Sequence, residues 1–387
     1  MLHEFYLIVA KITEVSCKHV REKRKNKKNK ILSCIFVCLR LIKKQHNYIK
    51  LPNKKKHIKP LLLKDWSGYN PKPGSIQFGK KHSYFIQKGY SITGDAPKDF
   101  IRFYHYGKGR KANYRTWNLF IAKLGHKHYP IESITEQLIT RIGEEYGFKM
   151  ANSELAWLGG QIRFLSKYFI TDKNDQVLEH GADLYAGFLN DKEFVEEIEK
   201  KGKSPEFFTV EFTEKVLKHF FKENSKTIFN EFCNMLLFDS LIGNNDRHFY
   251  NWGIVRSISK KNEPYFSPIY DTARGLFWND HEDKILRNFS NKKGIDEFIE
   301  KYCIQSTPKI GWEKTNKLNH FALIGYMKEY EFGFCPKLAE KIFTVNTIDR
   351  IFKMIDTEFV NLMSKERLFL IKKCIEYRYL TIKKIIY

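Results

Sequence analysis

Apolar and polar positions alternate with period two over several stretches in the first half of the chain. DFIRFYHY (99–106), WNLFIAK (117–123), SELAWL (153–158) and QIRFLSKYFI (161–170) read as strands, with GKGRKAN as a loop between the first two. IESITEQLITRIGEEYG (131–147) repeats at 3.6 instead, as an amphipathic helix does. Ser133 can cap it, Glu136 can complete a capping box three residues on, and Gly147 can end it. Beyond residue 170 the period is mostly helical, as in VEEIEKKG, FTEKVLKHFFKE, TIFNEFCNMLLFDSLIG and the segments from Gly294 onward. Two short strand-like pieces, around 252–256 and 265–270, interrupt it. The pattern predicts an α+β chain of two lobes with a cleft between them: a small β-rich N-lobe with one main helix, over 61–170, and a larger, mostly helical C-lobe over 171–387.

Composition changes this picture at one end. The 387 residues are 42% hydrophobic and 15% aromatic, ample for a packed core. The net charge is +24, and residues 1–60 alone hold 17 Lys and Arg against three Glu. That segment reads as a poorly ordered basic leader, with a signal-like or membrane-surface segment as the alternative. Its apolar run, ILSCIFVCLRLI (31–42), is too short to span a bilayer and contains Arg40. A membrane is therefore not expected as a partner, and nucleic acid only indirectly. The seven Cys are scattered and odd in number, with no CxxC pair, which suits free thiols in a reducing cytosol.

Candidate chemistry concentrates in LIGNNDRHFYNWGIV (241–255), a polar loop between an apolar helix and an apolar strand. Asp246 precedes Asn251 by five, the offset of the protein-kinase catalytic loop. By itself D-x-x-x-x-N is common, and both side chains can simply satisfy loop backbone. The flanking elements and a later strand-end carboxylate, Asp271 in SPIYDTARG, strengthen the chemical reading. One carboxylate can accept a hydroxyl proton. An amide oxygen and a second carboxylate suit Mg²⁺. Lys123 ends a strand, where it either reaches solvent or projects into the cleft, and Glu136 lies thirteen residues later to hold it. Two glycine-bearing segments could cradle phosphate. GKGRK (107–111) lies between two strands and suits a hairpin better; YSITGDAPK (90–98) has Gly94 for close backbone approach. Arg247 suits either a phosphate or a carboxylate in the loop, and His248 suits packing and loop hydrogen bonds better than a role as base.

SITGDAPK, FIAK, TEQLITRIGEEYGF, RFLSKYF, LIGNNDRHFYNWGI and PIYDTARG together resemble the HipA-like serine/threonine kinases, in the family's order and over about residues 85–375. The family includes bacterial toxin kinases and a secreted relative. The resemblance implies a protein-kinase-like fold and use of ATP and Mg²⁺. Residue by residue, it implies Asp246 as the catalytic Asp, Asn251 and Asp271 as metal ligands, and Lys123 with Glu136 as the phosphate-binding pair. Ser91, Gly94 and Lys98 fall in the phosphate loop, and Lys167, Tyr168 and Phe169 at the adenine-holding hinge. Ser91, and by the same logic Thr93, would be sites of inhibitory autophosphorylation. The loop departs from the family in reading GDA for GAQ, which brings Asp95 near the phosphates. Residues 1–90 do not read as the β-rich subdomain of the longer toxin kinases, so a separately encoded small protein of that kind, or an antitoxin, is an implied partner. The family's substrate class, translation proteins such as an aminoacyl-tRNA synthetase, is implied likewise, as is a cytoplasmic site of action. Two alternatives stand beside this reading. NDRHFYNWG also resembles the loop of phosphoinositide kinases, although YDTARG is unlike their metal motif. A pseudokinase or basic binding module, favoured by Asp95, would keep the fold without turnover.

Overall fold

The computed structural model describes residues 74–87, 98–125, 131–170, 175–259, 261–315, 317–330 and 336–387, all within one compact unit, Pro60–Tyr387. The expected leader, the 31–42 run, Ser91, Thr93, Gly94 and Asp95 lie outside the described residues.

Six strands form the first sheet: β1 (Gln77–Gly79), β2 (Tyr84–Ile86), β3 (Lys98–Phe103), β4 (Asn118–Leu124), β5 (Ser153–Leu158) and β6 (Gln161–Lys167). Their order is β1-β5-β6-β4-β3-β2, antiparallel throughout except for the parallel β1/β5 pair. Gly159 and Gly160, at φ +61° and +82°, make the two-residue turn from β5 to β6. Two successive positive φ values are what a tight hairpin matching strand twist requires. Ile101, Phe103, Phe120, Ala122, Ala156, Leu158 and Leu165 bury a small core on one face. The four expected strands are present, with ends shifted by up to three residues. The short β1 and β2 were not among the expected strands.

Helix α1 (Ile131–Tyr146) packs on β5 and β6 through Ile134, Leu138 and Ile142, a 4-4 spacing that puts them on one face. It ends at Gly147, φ +90°, as expected. Its start differs from expectation. The helix already includes Ile131, so Ser133 lies inside the first turn, buried at 2% exposure, and does not cap it. Glu136 completes no capping box. It points to the sheet instead, where Lys123 meets it.

A second sheet, β7 (Gln176–His180), β8 (Gly253–Ser257) and β9 (Tyr265–Phe266), introduces the helical lobe. The expected strand over 265–270 is real only for its first two residues. Beyond them Ile269 makes an isolated parallel bridge to Met150, just past α1. The lobe's helices are α2 (Gly181–Leu189), α3 (Lys192–Lys200), α4 (Ser204–Phe207), α5 (Val210–Phe221), α6 (Ser225–Ile242), α7 (Glu282–Ser290), α8 (Ile295–Gln305), α9 (His320–Glu329), α10 (Pro336–Ile342), α11 (Thr347–Met354) and α12 (Lys365–Ile386). α6 is buried on every side from Phe232 to Ile242, the mark of a central helix, and α5, α9 and α12 surround it. It stops at Gly243, φ +69°, where a Cβ would lie 2.5 Å from the Arg378 guanidinium. Among the described residues no helix is long and apolar enough to cross a membrane.

Two arginines of α12 are fully buried, which helical periodicity alone does not anticipate. Arg378 donates to Ser240 O and Cys303 O, joining the end of α6 to α8. Arg367 donates to Glu282 Oε1 at 2.6 Å and to the carbonyls of Phe277 and Asp280. Glu282→Ala would leave that guanidinium buried without its counter-charge. Such losses cost about 3–5 kcal/mol, and urea unfolding of the variant should show a drop of that order.

Candidate active site

The loop from Asn244 to Trp252 joins α6 to β8, and its shape is set from below. Asp239, on the last turn of α6 and 1% exposed, receives Arg247 through two bonds, Nε to Oδ2 at 2.8 Å and Nη2 to Oδ1 at 2.9 Å. Arg247 Nη1 donates to Asn251 O and to Tyr270 O, each at 2.6 Å. One buried guanidinium therefore ties together the helix end, the loop and the residue before Asp271. Neither partner expected for Arg247 is the one it has: its carboxylate comes from the helix and not from the loop, because the turn after α6 brings the loop back under the helix end. His248 accepts Tyr250 N–H through Nδ1 at 3.3 Å, a loop-shaping bond.

Asp246 and Asn251 are held on this frame. Asn244 Oδ1 accepts the Asp246 N–H at 3.2 Å. Asn251 Nδ2 donates to Asp246 O at 2.8 Å, which commits its NH₂ and leaves Oδ1 as the atom available to a ligand. Burial lifts the Asp246 pKa above its ordinary value, against the pull of Arg274 and His248. The Arg274 Nε lies 3.1 Å from Asp246 Oδ2.

The opposite wall comes from the first sheet. Lys98 and Lys123 are direct partners in the β3/β4 register. Like charges so placed repel. Asp271 lies between them, 3.1 Å from Lys123 Nζ and 3.6 Å from Lys98 Nζ. It adopts φ +55°, a left-handed conformation that Asp tolerates better than most residues. Burial disfavours its charge, but Lys123, Lys98 and Arg247 outweigh that, so its pKa lies well below the usual carboxylate range.

Lys123 also donates to Glu136 Oε1 at 2.6 Å. The two ends of this pair differ. Burial works against the ammonium, yet two carboxylates outweigh it and its pKa rises. Glu136 has one cation against burial and against the charge of Asp271, and it is pushed up to about 7.

The expected hinge is more dispersed. Lys167 ends β6 with its side chain exposed. Tyr168 N–H bonds to Leu119 O at 2.9 Å, and its ring meets Phe100 edge-on. The Phe169 ring lies 6.1 Å from that of Tyr270. GKGRK lies at the far end of the β3/β4 pair from Lys98 and Lys123, in the connection between the strands. A cavity of about 530 Å³ between the end of α1, α6 and β9 shares none of these residues.

The model of the HipA-like C-terminal domain family matches residues 90–322, more than half of the chain. The chain belongs to that family. It is 35% identical over 71 residues to Y4dM of Sinorhizobium fredii, whose name marks it as a candidate kinase; the match spans 18% of this chain and 17% of that protein. Among solved structures it is similar to the proinflammatory kinase CtkA of Helicobacter pylori, with a TM-score of 0.62 at 16% identity over 80% of this chain and 96% of that one. A weaker likeness, TM-score 0.41 at 12% identity over 78% and 66%, is to the toxin–antitoxin protein HipA of Shewanella oneidensis, solved with HipB and operator DNA. The HipA-like chain thus has the kinase-like fold of CtkA.

In this HipA-like chain two residues of the site escaped the sequence reading. Asp239 had a signal, since it is the one acid in the largely apolar run from Phe232 to Ile242, and a buried acid must be paired. Arg274 had none beyond lying three residues past Asp271.

Because Asp271 is depressed in the folded state, its charge contributes stability above its ordinary pKa of 3.8 and the contribution is lost as pH falls. The test compares the stability difference between wild type and Asp271→Asn at acid pH, below the range in which Glu136 titrates. From pH 5 to pH 3 it should shrink by about 1 kcal/mol, and chemical denaturation at the two pH values measures it.

Proposed function

We propose that this chain transfers the γ-phosphoryl group of ATP to a serine or threonine hydroxyl of a protein, with Mg²⁺. The observation that carries the reading is the Lys123 ammonium, which touches both Glu136 of α1 and Asp271 of the helical lobe. A cation positioned from the sheet beside a carboxylate from the other lobe is what nucleotide phosphates require, because catalysis of this transfer is mostly positioning and charge compensation.

The residues present fit Mg²⁺. Asn251 offers an amide oxygen, and Asp271 a carboxylate that stays ionised and keeps 28% side-chain exposure. Two protein oxygens, completed by phosphate and water, match this cation's preference. Bound there, Mg²⁺ would offset charge on the β- and γ-phosphate oxygens. Lys123 and Lys98 would hold phosphate oxygens in place of, or together with, Asp271. Asp246 would orient the acceptor hydroxyl and take its proton. Phe169 would offer its peptide groups to the adenine edge, since among the described residues they have no hydrogen-bond partner.

The family's regulation belongs to the same proposal. Phosphate on Ser91 or Thr93 would add roughly two negative charges where ATP phosphates bind. A toxin role against a translation protein, with a separately encoded antitoxin or small partner, follows from family membership and is the context to test first.

Incubation with labelled ATP and Mg²⁺, followed by mapping of the label, tests the activity. Asp246→Ala should lower transfer by about 10²–10⁴-fold with the thermal transition preserved; wild-type transfer by that variant would falsify the assignment. Lys123→Ala should weaken MgATP binding roughly ten- to hundred-fold, since a bond to a charged group is worth about 1.5–3 kcal/mol. Calorimetric titration reads this directly.

A further inference from the structure

We propose that Arg274 is a catalytic residue of this chain: held by Asp246 and Trp278, it presents its guanidinium to the phosphoryl group in transit. The inference rests on the kinase reading above. It starts from a shortage of cations around Asp246. Arg247, the one arginine of the loop, is consumed inside, with Nε, Nη1 and Nη2 all bonded. Lys98 and Lys123 stand on the sheet side, on Asp271. His248 uses Nδ1 to accept Tyr250 N–H. Lys309 also acts on the Asp246 charge, more weakly than Arg274 or His248; among the described residues, Arg274 forms the only ion pair with the Asp246 carboxylate.

The fold builds Arg274 into this place. Its carbonyl accepts the Asn245 N–H at 3.1 Å, stitching the loop after Asp271 to the residue before Asp246. Gly275 permits the approach, because a Cβ there would lie 2.8 Å from Ile242 O at the end of α6. The guanidinium carbon sits 4.9 Å from the centre of the Trp278 ring. With Nε on the carboxylate and one face on the indole, neither Nη donates to any described residue, and the side chain keeps 34% exposure. A planar guanidinium can serve a carboxylate, a ring and a phosphate together, which an ammonium cannot.

In the transfer, the acceptor oxygen bonds to the γ-phosphorus, and the bond from that phosphorus to the β,γ-bridging oxygen breaks. The electron pair leaves with ADP, and the hydroxyl proton passes to Asp246. Arg274 exchanges no atom. It carries charge beside the equatorial oxygens and keeps Oδ1 of Asp246 turned to the hydroxyl.

The test uses the full chain as wild type, Asp246→Ala, Arg274→Ala, Arg274→Lys and Trp278→Leu, with MgATP as nucleotide and myelin basic protein as a generic acceptor. Arg274→Ala should lower kcat by about 10²–10³-fold, the loss seen when one transition-state donor is removed. Its MgATP affinity by calorimetry should stay within about three-fold, and its thermal transition should persist. Millimolar guanidinium should restore part of kcat in Arg274→Ala and none in Asp246→Ala. Arg274→Lys and Trp278→Leu should fall between. The inference is overturned if folded Arg274→Ala keeps near-wild-type kcat, if its loss is entirely in MgATP binding, or if guanidinium restores nothing. Equal label transfer by wild type and Asp246→Ala would instead remove the kinase reading, and this inference with it.

Discussion

The Asp239–Arg247 pair is the constraint on which the site depends. A guanidinium at 1% exposure, with its carboxylate equally buried, is expensive to desolvate, and apolar replacements of similar shape can be as stable. What the pair contributes is position. Through Nη1 it also holds Asn251 O and Tyr270 O at 2.6 Å, so the Asn244–Trp252 loop and the approach to Asp271 share one anchor. The buried floor lets Asp246, Asn251 and Asp271 stand at their places although all three lie on irregular backbone.

Above that floor the balance is electrostatic. The β3/β4 register sets Lys98 opposite Lys123, an arrangement unfavourable alone, and Asp271 offsets it from the other lobe. Glu136 adds a second anion from α1. Each of these charges meets an opposite charge on another element, so the lobes are coupled through the groups proposed to handle phosphate. Ile269, bonded to Lys149 and Ala151 just past α1, couples them again through backbone.

The legible parts of the site were those encoded at short range. Asp246 and Asn251 sit five apart on one loop, and Lys123 ends a strand whose alternation is plain. Glu136 was read both as the helical carboxylate that meets Lys123 and as a capping group; the first contact forms and the second does not, because the helix begins before Ser133. Arg247 was seen as a charge in need of a partner. That the partner is Asp239, eight residues back on a buried helix, follows from the turn at Gly243, which folds the loop under the helix end. Arg274 stands beside Asp246 through a tertiary contact, the approach of Gly275 to Ile242 O, that no local pattern encodes.

Periodicity and punctuation in the sequence alone determined the element types: four strands, the helix after residue 130, the apolar α6 and the α+β division. Those features depend on neighbours within a turn or a strand, where side-chain spacing is itself the physical cause. The short strands β1, β2 and β7, the burial of Arg367 and Arg378, and the meeting of Lys98, Lys123, Glu136 and Asp271 were decided by tertiary structure. Their partners lie tens to more than a hundred residues away. A charge far apart in the chain reveals its counter-ion only after folding has excluded the water that would otherwise solvate both.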